Sequence, residues 1–347
     1  MTSSTPLVSV IVPCRNERRH IRRCLESIAK SDYPPACMEI LVVDGLSDDG
    51  TADEVDAFAR IEPRVRLFTN PRRIVASALN LGIRSAKGEI IVRMDAHNEY
   101  PPEYLPTLVD WLLRTDADNV GAACVTLPHD ESATARAIAV ALAHPFGVGN
   151  AHFRLGVSEP RAVDTVPFGC FRRELFERIG GFDEELVRNQ DDEFNYRILR
   201  SGGTILLVPG VVSYYYGRAS FAQLFRMYFQ YGLFKPLVAY KVGRVVTLRQ
   251  LAPIGLVLSL VIGGPLAVWS IGVRWLLGLG IAAYVAIAAV SAARVARRQG
   301  VRCGLALFAA FPVLHVAYGL GFGYGLLRLA LRGAGHRDEE ATVPLSR

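Results

Sequence analysis

The stretch EIIVRMDAHNEYPPEYL (residues 89–105) runs apolar into Asp95 and meets His97 two residues later. A carboxylate and an imidazole so placed are able to do chemistry. The triplet alone is a weak signal, however, and a loop histidine with no ligand is its ordinary reading. ILVVDGLSDDGT carries Asp44 directly after an apolar run, where a turn or helix cap is the plain alternative. NQDDEFNYR crowds Asp191, Asp192 and Glu193 together. Like charges this close raise a carboxylate's pKa and help it act as a base; the plain alternative is a solvated helix start favoured by the helix dipole.

The elements that must position these residues decide between the readings. LVSVIVPC reads as a buried parallel strand, with RNERRHIRRCLESIAKS as the helix behind it. MEILVVDG is a second strand followed by the helix ADEVDAFARI, RVRLFTN a third followed by RRIVASALNLGIRSAKG, and EIIVRMD a fourth. Strand and helix at this spacing predict a doubly wound α/β fold, with right-handed connections and strands buried on both faces. Ligands in such sheets bind beyond the carboxyl ends of the strands. Pro13, Asp44 and Asp95 all sit at such ends, which is where chemistry is expected. Further on, VGAACVTL reads as a strand, AVDTVPFGCF leads into the helix RRELFERIG, DDEFNYRILRSG is a helix, and TILLVPG a short strand.

Charge and hydropathy divide the chain. Of its 33 acids, 30 lie between Glu17 and Glu193, and from Phe194 to Arg337 there is none, although that interval carries 16 Lys and Arg. A pI near 9.1 makes nucleic acid the reflex partner. Here, though, the basic residues flank long apolar runs, so membrane lipids with anionic head groups are the expected partner and nucleic acid is not. Leu251–Gly272, Trp275–Ala293 and Cys303–Leu327 each approach the ~20 apolar residues that cross a bilayer. The third contains His315 and several glycines, and a re-entrant segment is its alternative. The mean hydropathy of +0.24 fits a membrane protein. SFAQLFRMYFQYGLFKPLVAYKVGR reads as an interfacial amphipathic helix, or plainly as a helix packed on the protein's own core. The expected organisation is a cytoplasmic catalytic domain over 1–212, an interfacial segment over 213–250, about three spans over 251–332 and a polar tail over 333–347. Arg and Lys before the first span and between the second and third put the first domain on the cytoplasmic side of the cell membrane. MTSSTPLVSVIVP reads as a strand rather than a signal peptide. Six scattered cysteines without a CxxC pair read as reduced thiols.

VSVIVPCRNE, ILVVDGLSDDGT, ALNLGIRSAKGEIIVRMDAH, DTVPFGCFRRELFERIGGFDEEL, NQDDEFNYRILRSGG and FAQLFRMYFQYG together resemble the family-2 inverting glycosyltransferases of the GT-A fold. Within that family the chain is similar to the membrane-bound exopolysaccharide glucosyltransferases of the succinoglycan type, over roughly residues 7–250. The resemblance implies that Pro13, Arg15 and Glu17 serve the donor side and that Asp44 accepts a hydrogen bond from the uracil of a nucleotide sugar. Many members carry a second Asp where Gly45 stands, so one ribose or base contact is missing. Members end the fourth strand on Asp-x-Asp, which holds a divalent ion against the diphosphate. Asp95 and His97 fill that motif, which implies Mn²⁺ or Mg²⁺, with Mn²⁺ better suited to a histidine. His97 binding the diphosphate directly is the alternative. Gln190 takes a Glu position and Asp191 the Asp position of the motif that supplies the general base. Gln223 and Arg226 fill part of a Gln-x-x-Arg-Trp pattern, with Met227 in place of Trp. That pattern, known from processive synthases, implies an Arg226–diphosphate contact, while Met227 in place of the Trp and a membrane part of only about three spans argue against processive synthesis. Gly169, Cys170, Gln190 and Gln223 are expected on the acceptor side. AIAVALAHPFGVGNAHFR (137–154) is either an acceptor loop near the membrane or a plain helix and turn.

The expected function is inverting transfer of a single sugar from a nucleotide-diphosphate sugar, a UDP-hexose such as UDP-glucose, to a lipid-linked glycan acceptor in exopolysaccharide or cell-envelope glycan synthesis. Transfer onto polyprenyl phosphate is the alternative within enzymes, since a phosphate acceptor needs no strong base. A membrane-tethered nucleotide-sugar binder without catalysis is the alternative outside them. A dinucleotide-dependent oxidoreductase is disfavoured, because the first strand leads into PCRNE and not GxGxxG.

Overall fold

The computed structural model describes residues 5–243 and 248–332. Its chain forms two compact units: Met1–Val125 with His152–Tyr215, and Thr126–Ala151 with Tyr216–Arg347. The excursion Thr126–Ala151 into the second unit has no counterpart in the hydropathy pattern.

In the first unit, β1 (Val8–Cys14) is buried at all seven positions. A strand with no solvent-facing set has to lie inside a sheet covered on both faces. It pairs in parallel with β2 (Met38–Asp44), which pairs with β3 (Val65–Thr69), and on its other side with β4 (Ile90–Arg93). Alternate residues feed opposite faces. Val8, Val10, Val12, Ile40 and Val42 pack against the helices Ile21–Ala29 and Tyr104–Arg114. Ile11, Leu41, Val43 and Ile91 pack against the helix Val75–Ser85 and a set of phenylalanines.

Beyond β4 the pairing changes direction. The remaining strands are β5 (Asn98–Glu99), β6 (Asn119–Leu127), β7 (Arg161–Ala162), β8 (Cys170–Arg172) and β9 (Ile205–Tyr216). The order is β3-β2-β1-β4-β8-β6-β9-β5, with β7 on β9. The pairings β4–β8, β8–β6, β9–β5 and β9–β7 are all antiparallel. The sheet is therefore mixed, its parallel half carrying Asp44 and Asp95 at its carboxyl ends. Phe194 stacks on Phe182 and Phe176 at ring distances of 4.5 and 5.3 Å. Those rings fix the helix Gln190–Arg200 against the sheet.

The described part of the second unit is almost wholly helical. Ala252–Trp269, Ile271–Gln299 and Val301–Leu331 are long and apolar enough to cross a membrane. The third is one unbroken helix, Val301–Arg332. On the first two, Trp269, Trp275, Leu276 and Leu279 are 70–81% exposed within the chain, a surface suited to lipid. Phe221–Val242 packs along Val301–Arg332 through glycines. A Cβ added at Gly321 or Gly325 would lie 2.1 or 2.3 Å from the carbonyl oxygens of Phe229 and Leu233, so the two backbones touch. This helix thus buries one side against the third apolar helix of its own unit. His315 is satisfied by a partner: its Nδ1 lies 2.8 Å from the Tyr284 hydroxyl. The Phe146 ring, from the excursion, sits 5.0 Å from Tyr284 and 5.3 Å from His315.

Candidate active site

Asp44 ends β2 in register with Cys14 of β1 and Thr69 of β3. It is 5% exposed and held by its own turn. The Ser47 backbone N–H donates to its Oδ2 at 2.9 Å, the Ser47 hydroxyl donates to Oδ1, and the Cys14 thiol lies 3.7 Å from the same oxygen. The plain turn reading is therefore also satisfied. The loop after β1 is locked to the loop after β2: the Asn16 N–H donates to Ser47 Oγ at 2.7 Å, the Asp48 N–H to Asn16 Oδ1 at 2.9 Å, and the Glu17 N–H to Thr51 Oγ1 at 2.7 Å. Pro13 pairs with Val43 inside the sheet, so its ring helps set the strand end. A Cβ on Gly45 would meet Arg15 Cβ and Cδ at 3.3 Å and the Arg73 backbone at 3.4 Å. Arg15 thus occupies the room where a second acid would stand.

At the end of β4, the Asp95 carboxylate is gripped by a residue the sequence reading passed over. Arg93 donates from Nε to Oδ1 at 2.8 Å and from Nη2 to Oδ2 at 3.0 Å. In extended chain, residues two apart share a face, which is the signal that links the two. The Asp95 backbone is fixed as well: its N–H donates to the Tyr100 hydroxyl at 2.7 Å, and that hydroxyl donates to its carbonyl at 3.3 Å. Burial would push the Asp95 carboxyl up, but the Arg93 guanidinium, aided by His97 and Arg188, holds it below the usual carboxylate range. For Arg93, burial works against the charged form, and the neighbouring Asp95 and Asp191 more than reverse it. One buried cation therefore stands within the field of both expected functional acids.

His97 lies with its Nδ1 3.3 Å from Glu17 Oε1 and its ring edge-on to Tyr215 at 5.5 Å. An Nδ1–H donated to Glu17 leaves Nε2 available as a ligand, the usual orientation of a histidine backed by a carboxylate. Among the described residues, no group of three or more His, Cys, Asp or Glu could hold a metal ion alone. Asp95 and His97 would be the residues to hold a divalent cation there, since a carboxylate retains acceptor capacity beyond a bidentate arginine.

Asp191 lies in the first turn of the helix Gln190–Arg200, and its Oδ1 accepts from the Asp192 N–H at 3.1 Å. The helix is anchored from below by a buried amide chain, Asn119 to Asn195 at 2.7 Å and Asn195 to Thr165 at 2.8 Å. The expected crowding by Glu193 is relieved, because Glu193 accepts two bonds from Arg197 at 2.6 and 2.9 Å. Gln190 is buried at 6% exposure. Cys170 is fully buried, and burial pushes its thiol well up, so its side chain has no surface to offer an acceptor. Gly169 acts through its backbone: its carbonyl accepts from the Arg93 N–H at 3.0 Å. At φ 91° a side chain is disfavoured there, and a Cβ would strike the Phe171 ring at 2.3 Å. Gln223 and Arg226 belong to the second unit. Gln223 caps its own helix, its Oε1 accepting from the Ala219 N–H at 3.0 Å, while Arg226 is exposed.

Residues 9–180 match the family model described as glycosyl transferase family 2. The succinoglycan biosynthesis protein ExoA of Rhizobium meliloti (strain 1021) is 31% identical over 96% of this chain and 98% of its own length. A dolichyl N-acetyl-alpha-D-glucosaminyl phosphate 3-beta-D-2,3-diacetamido-2,3-dideoxy-beta-D-glucuronosyltransferase of Methanococcus voltae is 27% identical over 67% of this chain and 74% of its own. Among solved structures, the mannosyltransferase PcManGT from Pyrobaculum calidifontis, in complex with GDP-Man and Mn²⁺, is similar with a TM-score of 0.57 and 25% identity, covering 91% of this chain and 88% of that one. With the mixed sheet, the strand-end acids and a near full-length relative agreeing, this chain belongs to glycosyl transferase family 2 and is a glycosyltransferase with a GT-A fold.

Proposed function

We propose that this glycosyltransferase moves one sugar from a UDP-hexose to a lipid-linked glycan with inversion at the anomeric carbon, in exopolysaccharide or cell-envelope glycan synthesis. The observation that carries the reading is the buried Asp95 carboxylate, held by Arg93 at the carboxyl end of the parallel strands. Asp44 takes the base of the donor, while Arg15 and Glu17 flank it from the locked β1 loop. Asp95 and His97 would hold a divalent cation, Mn²⁺ in preference to Mg²⁺, which would supply positive charge to the departing diphosphate. Asp191 accepts the proton of the attacking acceptor hydroxyl as the new glycosidic bond forms and the bond to the diphosphate breaks. The glycosyltransferase of Methanococcus voltae, named for a sugar added to a dolichyl-phosphate-linked sugar, supports a lipid-linked acceptor. The three apolar helices support a membrane location, and the Arg and Lys flanking them favour a catalytic unit on the cytoplasmic side.

Membranes containing the full chain, given a panel of radiolabelled nucleotide sugars and extracted for lipid-linked product, test the donor and acceptor class. Label from UDP-glucose in a lipid-linked oligosaccharide is expected, with loss in chelator and recovery on adding Mn²⁺. Label appearing as a single sugar on polyprenyl phosphate would replace the acceptor assignment, and full turnover in chelator would remove the cation.

A further inference from the structure

We propose that Arg93 is a positioning residue for this glycosyltransferase: its guanidinium fork presets the Asp95 carboxylate for the cation and diphosphate of the donor. The inference rests on the metal-assisted reading above and adds to it what the guanidinium does for the Asp95 carboxylate.

Arg93 lies in the middle of the sheet at 8% exposure, and its strand otherwise reads as apolar core. A buried ion pair is often replaceable by apolar side chains at no loss of stability, so packing alone does not call for a guanidinium there. Its geometry is directional. Two parallel N–H···O bonds at 2.8 and 3.0 Å fix the plane of the Asp95 carboxylate, which a single point charge would not do. The fork is itself held. Its backbone N–H donates to the Gly169 carbonyl, and its Cζ lies 5.9 Å from the centre of the Phe168 ring. Phe168 adopts φ 67° and Gly169 φ 91°, a left-handed pair that carries the ring and the carbonyl to Arg93. A strained loop, an aromatic face and a strand position thus converge on one guanidinium, whose two forward bonds both go to Asp95. Fixing a metal-binding carboxylate through an outer partner is the arrangement whose loss costs ~10–100-fold in metal affinity.

The test uses the detergent-solubilised full chain, with Mn²⁺ binding followed by electron paramagnetic resonance in the presence of UDP, beside thermal midpoint and steady-state kinetics. Arg93→Lys keeps a positive charge beside Asp95 but removes the fork, and Arg93→Met removes both. With Arg93→Lys, Mn²⁺ affinity is expected to fall ~10–100-fold and donor KM to rise with it, while the thermal midpoint stays near that of the unaltered chain. Arg93→Met is expected to lose at least as much affinity. If it fails to fold, the lysine variant decides alone. Unchanged Mn²⁺ affinity in Arg93→Lys, with or without a lower thermal midpoint, would show a structural role or a role for charge only and overturn the proposal. Absence of Mn²⁺ binding by the unaltered chain with UDP would instead sink the metal-assisted reading, and the Arg93 role with it.

Discussion

Asp191 tests the reaction type at the scale of one residue. In a single displacement the acceptor oxygen attacks as the diphosphate leaves from the opposite face, and only a positioned base removes the acceptor's proton, an effect worth ~10²–10⁴ in rate. Asp191→Asn keeps size and much of the hydrogen bonding while removing the basic oxygen. It is expected to lower kcat by at least ~10² with donor KM nearly intact, because Asp44 and Asp95 lie on other elements. Asp192→Asn, one position along, is expected to do far less. Equal losses in both variants, or a loss confined to donor KM, would move the base elsewhere. Asp44, Asp95 and His97 draw notice in the sequence because each lies at or just past the end of a buried strand. Arg93 does not, since one arginine inside an apolar run reads as an exception until its partner two residues on is seen to share its face. Cys170 shows the reverse error: next to a functional-looking glycine in the chain, it points into the core.

Elements were legible in proportion to the regularity of their pattern. β1, β2, β3 and β4 lie close to the strands read from the sequence, because buried parallel strands are continuous apolar runs. β5 and β7 have two residues each, too few for any period. β9 runs on to Tyr216 through Pro209 and Gly210, the latter at φ 88°, where turn residues end the run as read. One connection in the parallel half carries a pH prediction. Arg64 donates two bonds to Glu62 at 2.7 Å and one to the Ala29 carbonyl at 3.0 Å, tying the approach to β3 to the end of the first helix. The bond from Arg64 chiefly holds Glu62 below its ordinary value of 4.5. A depressed carboxylate contributes stability above the unfolded value and loses it as pH falls through the folded value. The thermal midpoint should therefore drop on acidification below about pH 4.5, and Glu62→Gln should flatten part of that drop. A profile identical in both proteins would deny the pair that role. In the second unit, Gly321→Leu forces a side chain into the backbone of the helix Phe221–Val242 and should destabilise by ~1–3 kcal/mol, as overpacking does. Gly278→Leu, where nothing lies within 4 Å, should not. Equal denaturation midpoints for the two variants would mean that the close helix contact is not made.

At the scale of the whole molecule, the distribution of charge makes the protein's topology testable. The helices Ala252–Trp269, Ile271–Gln299 and Val301–Leu331 alternate direction if all three span, and only Arg274 lies near the first turn between them, whereas Arg294, Arg297, Arg298 and Arg302 gather at the second. Cationic turns are retained on the cytoplasmic side, so the second turn and the catalytic unit are expected there and the first turn outside. No acid lies between Phe194 and Arg337 to offset these charges within the chain, which leaves lipid phosphates as their natural counterions. Single cysteines at the two turns, Arg274→Cys and Arg298→Cys, can be read with an impermeant thiol reagent in sealed cells and in inverted vesicles. Of the native thiols only Cys37 is more than marginally exposed, so Cys37→Ser gives a quiet background. The cysteine at 274 is expected to react in sealed cells and the one at 298 only in inverted vesicles. Labelling of both from the same face would mean that Ile271–Gln299 does not cross, and labelling at 298 from outside would place the catalytic unit away from its cytoplasmic nucleotide sugar.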